Sequence, residues 1–212
     1  MGAKSIISLF CEGQAVCSQG DASKEVFYIE KGQVKLTVKS KRGKETVLGI
    51  LHRGDYFGAG CMTGQAFHTA TAIALTRCRV LVIEKKEMTR ALHNGHEFSD
   101  HFIACLLGRN IRIEEDLIDH HLCSCEERLA RALLLIARYD KIRKPIAVIP
   151  KITQETLGGL IGSTRSRVCH FMNKFKKLGY IEYGERLRVH NSSLSGVLKD
   201  SILSDLLTSR PN

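Results

Sequence analysis

The sequence predicts an α+β chain: an N-terminal antiparallel β-roll, a long helix and a C-terminal winged helix-turn-helix. Between about Gly13 and Glu84, apolar residues alternate with polar ones and glycines recur every few positions. From about Lys85 to Leu122 the apolar residues recur mostly at steps of three and four. From Ile152 to Val189 a short helix, a glycine turn, a basic helix and a hairpin follow in order.

In the roll, Val34, Leu36 and Val38 alternate with Lys35, Thr37 and Lys39, the pattern of a half-buried strand. A turn at Lys41-Arg42-Gly43-Lys44 leads into Thr46-Val47-Leu48-Gly49-Ile50-Leu51 and makes a hairpin. Residues Cys78 to Ile83 read as another strand, and the recurring glycines supply the turns that many short strands need.

The long helix is expected at about residues 93–122. Its apolar residues cover two adjoining faces, one to pack on the roll. Leu107, Ile111, Ile118 and Leu122 remain for a second copy of the same helix, which predicts a homodimer; one broad core-facing stripe is the alternative. The pattern breaks at His120-His121-Leu122-Cys123-Ser124-Cys125, so a hinge is placed at 122–126 and the domains at 1–122 and 123–212. Ser124 suits an N-cap, and Glu126 and Glu127 suit the first turn of the next helix. Pro145 and Pro150 bracket an apolar stretch, Ile146 to Ile149, expected in a small strand pair.

The sharpest pattern follows. Thr153 caps a short helix with inner positions Leu157, Leu160 and Ile161; Gly158 is small where two helices cross, and Gly162 falls at the turn. Ser163-Thr164 caps a second helix from Arg165 to about Leu178, closed by Gly179, with Val168, Phe171, Met172 and Phe175 on its inner face. Arg165, Ser166, Arg167 and His170 project from its first turns, where a recognition helix meets base edges. Lys174, Lys176 and Lys177 suit phosphates. Tyr180 to Val189 alternates around a Gly184-Glu185 turn, a hairpin wing with Arg186 and Arg188 on one face.

Charge agrees with this reading. The 212 residues carry a net +10, and the excess of basic over acidic residues is 4 in 1–100, 1 in 101–144 and 5 in 145–212. A basic C-terminal third favours a polyanion such as double-stranded DNA. Gly2 would open a myristoylation motif, but Ile6 stands where that motif wants Ser or Thr. No apolar run approaches the roughly 18–20 residues of a membrane span. The start of the sequence has no long apolar region or signal cleavage pattern, so the chain is expected in the cytoplasm, where its eight cysteines read as mostly reduced, small, buried hydrophobes. No nucleophile elbow, phosphate loop or zinc-protease motif is present, so no enzymatic activity is expected.

Four further motifs stand in order: Phe27-Tyr28-Ile29-Glu30-Lys31-Gly32 with Val34-Lys35-Leu36, then Gly54-Asp55-Tyr56-Phe57-Gly58, then Glu127-Arg128-Leu129-Ala130. Ile152-Thr153-Gln154-Glu155-Thr156-Leu157-Gly158 running into Ser163-Thr164-Arg165-Ser166-Arg167-Val168 completes the set. By these motifs the chain resembles, over nearly its whole length, the CRP/FNR-type bacterial transcription regulators. The resemblance implies a cyclic-nucleotide-binding-type roll, a dimerising helix, a winged helix and RNA polymerase as a partner. In it, an effector bound near the long helix reorients the DNA-binding heads.

The resemblance also locates an effector pocket at Gly58, Ala59, Gly60, His68, Thr69 and Ala70, with Ile113 and Glu114 from the helix. Cyclic-nucleotide-binding members place Glu where Ala59 stands and Arg-Ser-Ala where His68-Thr69-Ala70 stand. The ribose acceptor and the bidentate phosphate contact are thereby missing. Cyclic nucleotide is disfavoured and no cofactor is predicted; a cyclic-nucleotide-responsive regulator with an atypical pocket, or a ligand-binding module without specific DNA binding, are the alternatives. An iron–sulfur cluster is not expected from Cys11 and Cys17 alone. His120, His121, Cys123 and Cys125 suffice in number for zinc or copper, but the two thiols are expected to point apart, so no metal is predicted. Familiar members carry Glu at the position of Ser166 and Arg at that of His170, so their operator does not transfer. The expected operator is two-fold symmetric, with Arg165 or Arg167 on guanine.

Overall fold

The computed structural model describes residues 5–137, 146–184 and 186–198; the readings placed on Gly2, Pro145 and Glu185 lie outside them. The chain divides into two units, residues 1–115 and 116–212, so the division falls inside the long helix, upstream of its last turns.

In the N-terminal unit, short strands separated by glycine turns fold into two antiparallel four-stranded sheets. One is ordered β1 (Ser5–Phe10), β8 (Cys78–Glu84), β3 (Glu25–Lys31) and β6 (Tyr56–Phe57). The other is ordered β2 (Ala15–Cys17), β7 (Thr71–Ala74), β4 (Val34–Lys39) and β5 (Glu45–Leu51). Their inward residues, among them Phe27, Ile29, Val34, Leu36, Leu51, Phe57 and Val80, form one core.

The alternation expected in β4 holds only for its first half. Thr37 is buried and Val38 only half-buried. The register between β4 and β5 shifts at this point: Leu36 faces Gly49 and Thr37 faces Val47, so the extra residue, Leu48, lies on β5. The hairpin turn forms at the expected place, with Lys44 O accepting from Ser40 N at 2.8 Å.

Two helices follow the roll: α1 (Lys85–Asn94) and α2 (His96–Leu122). Gly95 interrupts them with extended backbone, so the long helix starts at His96, a few residues later than expected. Phe102 of α2 inserts into a second core with Val26, Tyr56, Ile83 and Met88. Polar ties supplement this packing. Arg112 Nη2 meets Asp55 Oδ1 at 2.7 Å, and Arg109 Nη1 donates to the Tyr56 carbonyl at 3.2 Å. The Gly54-Asp55-Tyr56-Phe57-Gly58 stretch thus anchors the helix to the roll.

In the C-terminal unit, α3 (Cys125–Ala137) begins with a capping box: Glu127 N donates to Ser124 Oγ at 3.3 Å and Ser124 N to Glu127 Oε2 at 2.7 Å. α3 buries Leu129, Leu133 and Ile136. The antiparallel sheet β10 (Ile181–Tyr183), β11 (Leu187–His190), β9 (Ile146–Ile149) has three strands, so Ile146 to Ile149 joins the wing hairpin instead of forming a separate pair. α4 (Gln154–Leu160), α5 (Arg165–Lys177) and α6 (Asn191–Ser195) complete the unit.

Candidate nucleic-acid interface and effector site

Both helices of the helix-turn-helix are capped as the sequence suggests. Thr153 Oγ1 accepts from Thr156 N at 3.1 Å, and Thr164 Oγ1 from Arg167 N at 3.3 Å. A Cβ on Gly158 would come within 2.9 Å of the Ser163 carbonyl, so only glycine allows this close approach of α4 to the turn. Gly162 has φ +62° at the turn itself, with the His120 ring packed against it. Gly179 ends α5 in a Schellman motif: its N donates to Lys176 O at 3.1 Å and Tyr180 N to Phe175 O at 2.9 Å. Leu157, Ile161, Val168, Met172 and Phe175 are buried, whereas Leu160 and Phe171 are only partly so.

This packing fixes what α5 exposes. Arg165, Ser166, Arg167 and His170 are all exposed on its first turns, as are Lys177 nearer its end and Arg186 and Arg188 on the wing. Several of the cations are not idle. Arg165 Nε meets Glu155 Oε1 at 3.0 Å, and Lys174 Nζ meets both carboxylate oxygens of Glu126 at 2.8 and 2.9 Å. Arg188 lies 3.8 Å from Glu182, which also contacts His190 Nε2 at 2.9 Å. Lys176 sits 5.7 Å over the Tyr183 ring. The charge pattern alone did not reveal these acidic partners, because each lies on a different element from its cation.

A second polar cluster escaped the sequence reading. Arg128 Nε donates to the Ile161 carbonyl at 3.0 Å, and its Nη1 to the carbonyls of Cys123 at 2.8 Å and His120 at 3.4 Å. Around the close of α2, the two thiols have different partners, Cys123 donating to Asp119 Oδ1 at 3.6 Å and Cys125 to Ser163 Oγ at 3.1 Å. Among the described residues no group of three or more His, Cys, Asp or Glu is gathered to hold a metal ion. Cys11 is exposed, and burial pushes the Cys17 thiol up to about 11.

In the roll, Gly58 has φ +74°, and a Cβ there would meet the Phe27 ring at 2.7 Å. Ala59 and Gly60 begin a short 3₁₀ turn, Ala59–Thr63, and are partly buried. His68 is buried, its ring centroid 5.9 Å from that of Phe27, which stacks on Phe57 at 4.8 Å. Thr69 is exposed and Ala70 half-buried. On α2, Ile113 and Glu114 are exposed, with Asn110 Nδ2 donating to Glu114 Oε1 at 2.8 Å. Leu107, Ile111, Ile118 and Leu122 are also exposed, at 59%, 52%, 38% and 65% of their surface, well outside the core.

Residues 8–94 match the cyclic nucleotide-binding domain and residues 127–193 the Crp-like helix-turn-helix domain. These two domains in one chain define a transcription regulator with a helix-turn-helix DNA-binding domain and a cyclic nucleotide-binding-like domain. The chain is 24% identical over 174 residues to the CRP-like cAMP-activated global transcriptional regulator of Mycobacterium tuberculosis, covering 81% of this chain and 78% of that one. It is 24% identical over 178 residues to the cAMP-activated global transcriptional regulator CRP of Escherichia coli, covering 82% and 84%. FixK2 from Bradyrhizobium japonicum has a similar structure, with a TM-score of 0.77 at 16% identity over 91% of this chain and 96% of that one. A CRP-family transcriptional regulator from Thermus thermophilus reaches 0.78 at 20% identity, over 93% and 99%. The chain belongs to the CRP/FNR family of transcription regulators. No helix among its described residues is long and apolar enough to cross a membrane.

Proposed function

We propose that the protein is a cytoplasmic homodimer that binds a two-fold symmetric DNA site and acts by binding alone, without catalysis. One observation carries this: the exposed quartet Arg165, Ser166, Arg167 and His170 on the capped start of α5, opposite a face buried through Val168, Met172 and Phe175. In this reading Arg165 or Arg167 pairs with guanine, and Ser166 and His170 meet neighbouring base edges. Thr153, Thr164, Lys177, Arg186 and Arg188 bind the sugar-phosphate backbone, with a smaller share from Lys174 because Glu126 holds it. The dimer forms along α2 through Leu107, Ile111, Ile118 and Leu122, whose exposure would otherwise be unfavourable. RNA polymerase is the further partner.

The proposed effector site, Gly58 to Gly60, His68 to Ala70, Ile113 and Glu114, has lost its cyclic-nucleotide clamp. Ala59 offers no carboxylate to a ribose, and His68 packs on Phe27 where a guanidinium would be needed. The relatives from M. tuberculosis and E. coli are named as cAMP-activated, and the match over residues 8–94 favours a second reading, a nucleotide-responsive regulator with an atypical pocket. Binding-site selection from random duplex DNA, with no effector added, tests the first reading. A palindromic consensus supports it; only weak, salt-sensitive and sequence-blind binding counts against it. Calorimetric titration with cyclic AMP and cyclic GMP separates the two readings.

A further inference from the structure

α5 begins with an electrostatic conflict. A helix N-terminus carries roughly half a positive charge, so Arg165 and Arg167 stand at its unfavourable end. The first turn of α5 contains no acidic residue to offset them. The counter-charge comes from the neighbouring helix instead, through the 3.0 Å contact between Glu155 Oε1 and Arg165 Nε. Glu155 is itself well placed, in the first turn of α4 behind the Thr153 cap, where a carboxylate is favoured. The Gly158 approach to the Ser163 carbonyl sets the spacing that lets the two side chains meet.

At 70% and 59% side-chain exposure this pair adds little to stability. Its consequence is orientation. With Nε engaged by Glu155, the planar guanidinium is fixed and its two terminal nitrogens remain to address a base edge. The carboxylate also disfavours a phosphate at the same place.

On the proposed reading of Arg165 as a guanine contact, we propose that Glu155 is a specificity-determining positioning residue. It holds the Arg165 guanidinium in the orientation that reads a base and keeps it from binding backbone phosphates indiscriminately.

The test is binding-site selection with the wild type, Glu155→Ala, Glu155→Gln and Arg165→Ala, beside the affinity for a fixed non-operator duplex across a salt series. Glu155→Ala is expected to lose about tenfold of the preference at the base position that Arg165→Ala erases. Its affinity for the non-operator duplex should rise, with the salt slope steeper by about one. Glu155→Gln, whose amide oxygen still accepts from Nε, should keep more of the base preference yet share the non-operator gain. Unchanged melting temperatures would exclude a folding defect. If Arg165→Ala erases a position and Glu155→Ala leaves both consensus and non-operator affinity as in the wild type, Glu155 has no such role and the guanine reading stands. If Arg165→Ala alters no position, the guanine reading falls and this inference with it.

Discussion

Arg131 donates from Nη1 to Asp119 Oδ1 at 2.7 Å, and both side chains are more than nine-tenths buried. The pair ties the last turn of α2 to α3 inside the C-terminal unit. A buried ion pair adds little net stability over an apolar replacement, but removing one partner strands the other charge. Asp119→Ala is therefore expected to cost roughly 3–5 kcal/mol in urea unfolding. The double variant Asp119→Leu/Arg131→Met should recover much of that loss, and a double variant as unstable as Asp119→Ala would contradict this account.

Lys177 is exposed near the end of α5, away from the turns proposed to read bases. Lys177→Ala should weaken binding about equally on all sequences and reduce the salt slope by about one. Arg165→Ala should instead cost roughly 1–3 kcal/mol at a single base position. Competition binding against a library of single-base operator variants distinguishes the two patterns.

Leu107 and Ile118 lie on the proposed seam of α2, away from Phe102 and the roll core. Replacing both with Asp should leave each unit folded but weaken self-association by roughly a hundredfold, since burying unpaired carboxylates costs several kcal/mol. Sedimentation equilibrium reads the dissociation, and circular dichroism checks the fold. A double variant that remains as dimeric as the wild type would remove these residues from the interface.

Burial lowers the His52 pKa from 6.5 to about 4; nearby Asp55 opposes the shift and Arg112 adds to it. The native state thus disfavours the imidazolium, and between pH 6.5 and 4 the unfolded chain binds more protons. This contribution to stability is complete above about pH 6.5 and is lost as the pH falls toward 4. Denaturation midpoints measured across that window should fall less steeply in His52→Gln than in the wild type.

The fold class was readable because its signals are local. Caps at Thr153, Thr164 and Ser124, and turns at Gly162 and Gly179, act within a few residues of where they are written. The β5 bulge was not readable: Leu48 is skipped in the register against β4, a pairing that alternation alone does not reveal. The exposed face of the candidate interface was half-readable. The exposure of Arg165, Ser166, Arg167 and His170 follows from helical period, but Glu155 and Glu126 reach their cations from other helices. Only the folded packing brings such pairs together.

Arg128 binds three carbonyls, two at the close of α2 and one at the turn between α4 and α5. One side chain therefore sets two boundaries, where the long helix stops and where the helix-turn-helix begins to turn. Lengthening the linker by a residue or two would pull those boundaries apart and leave this guanidinium to serve only one. The spacing between the end of α2 and the turn before α5 is for that reason a fixed dimension of the C-terminal unit.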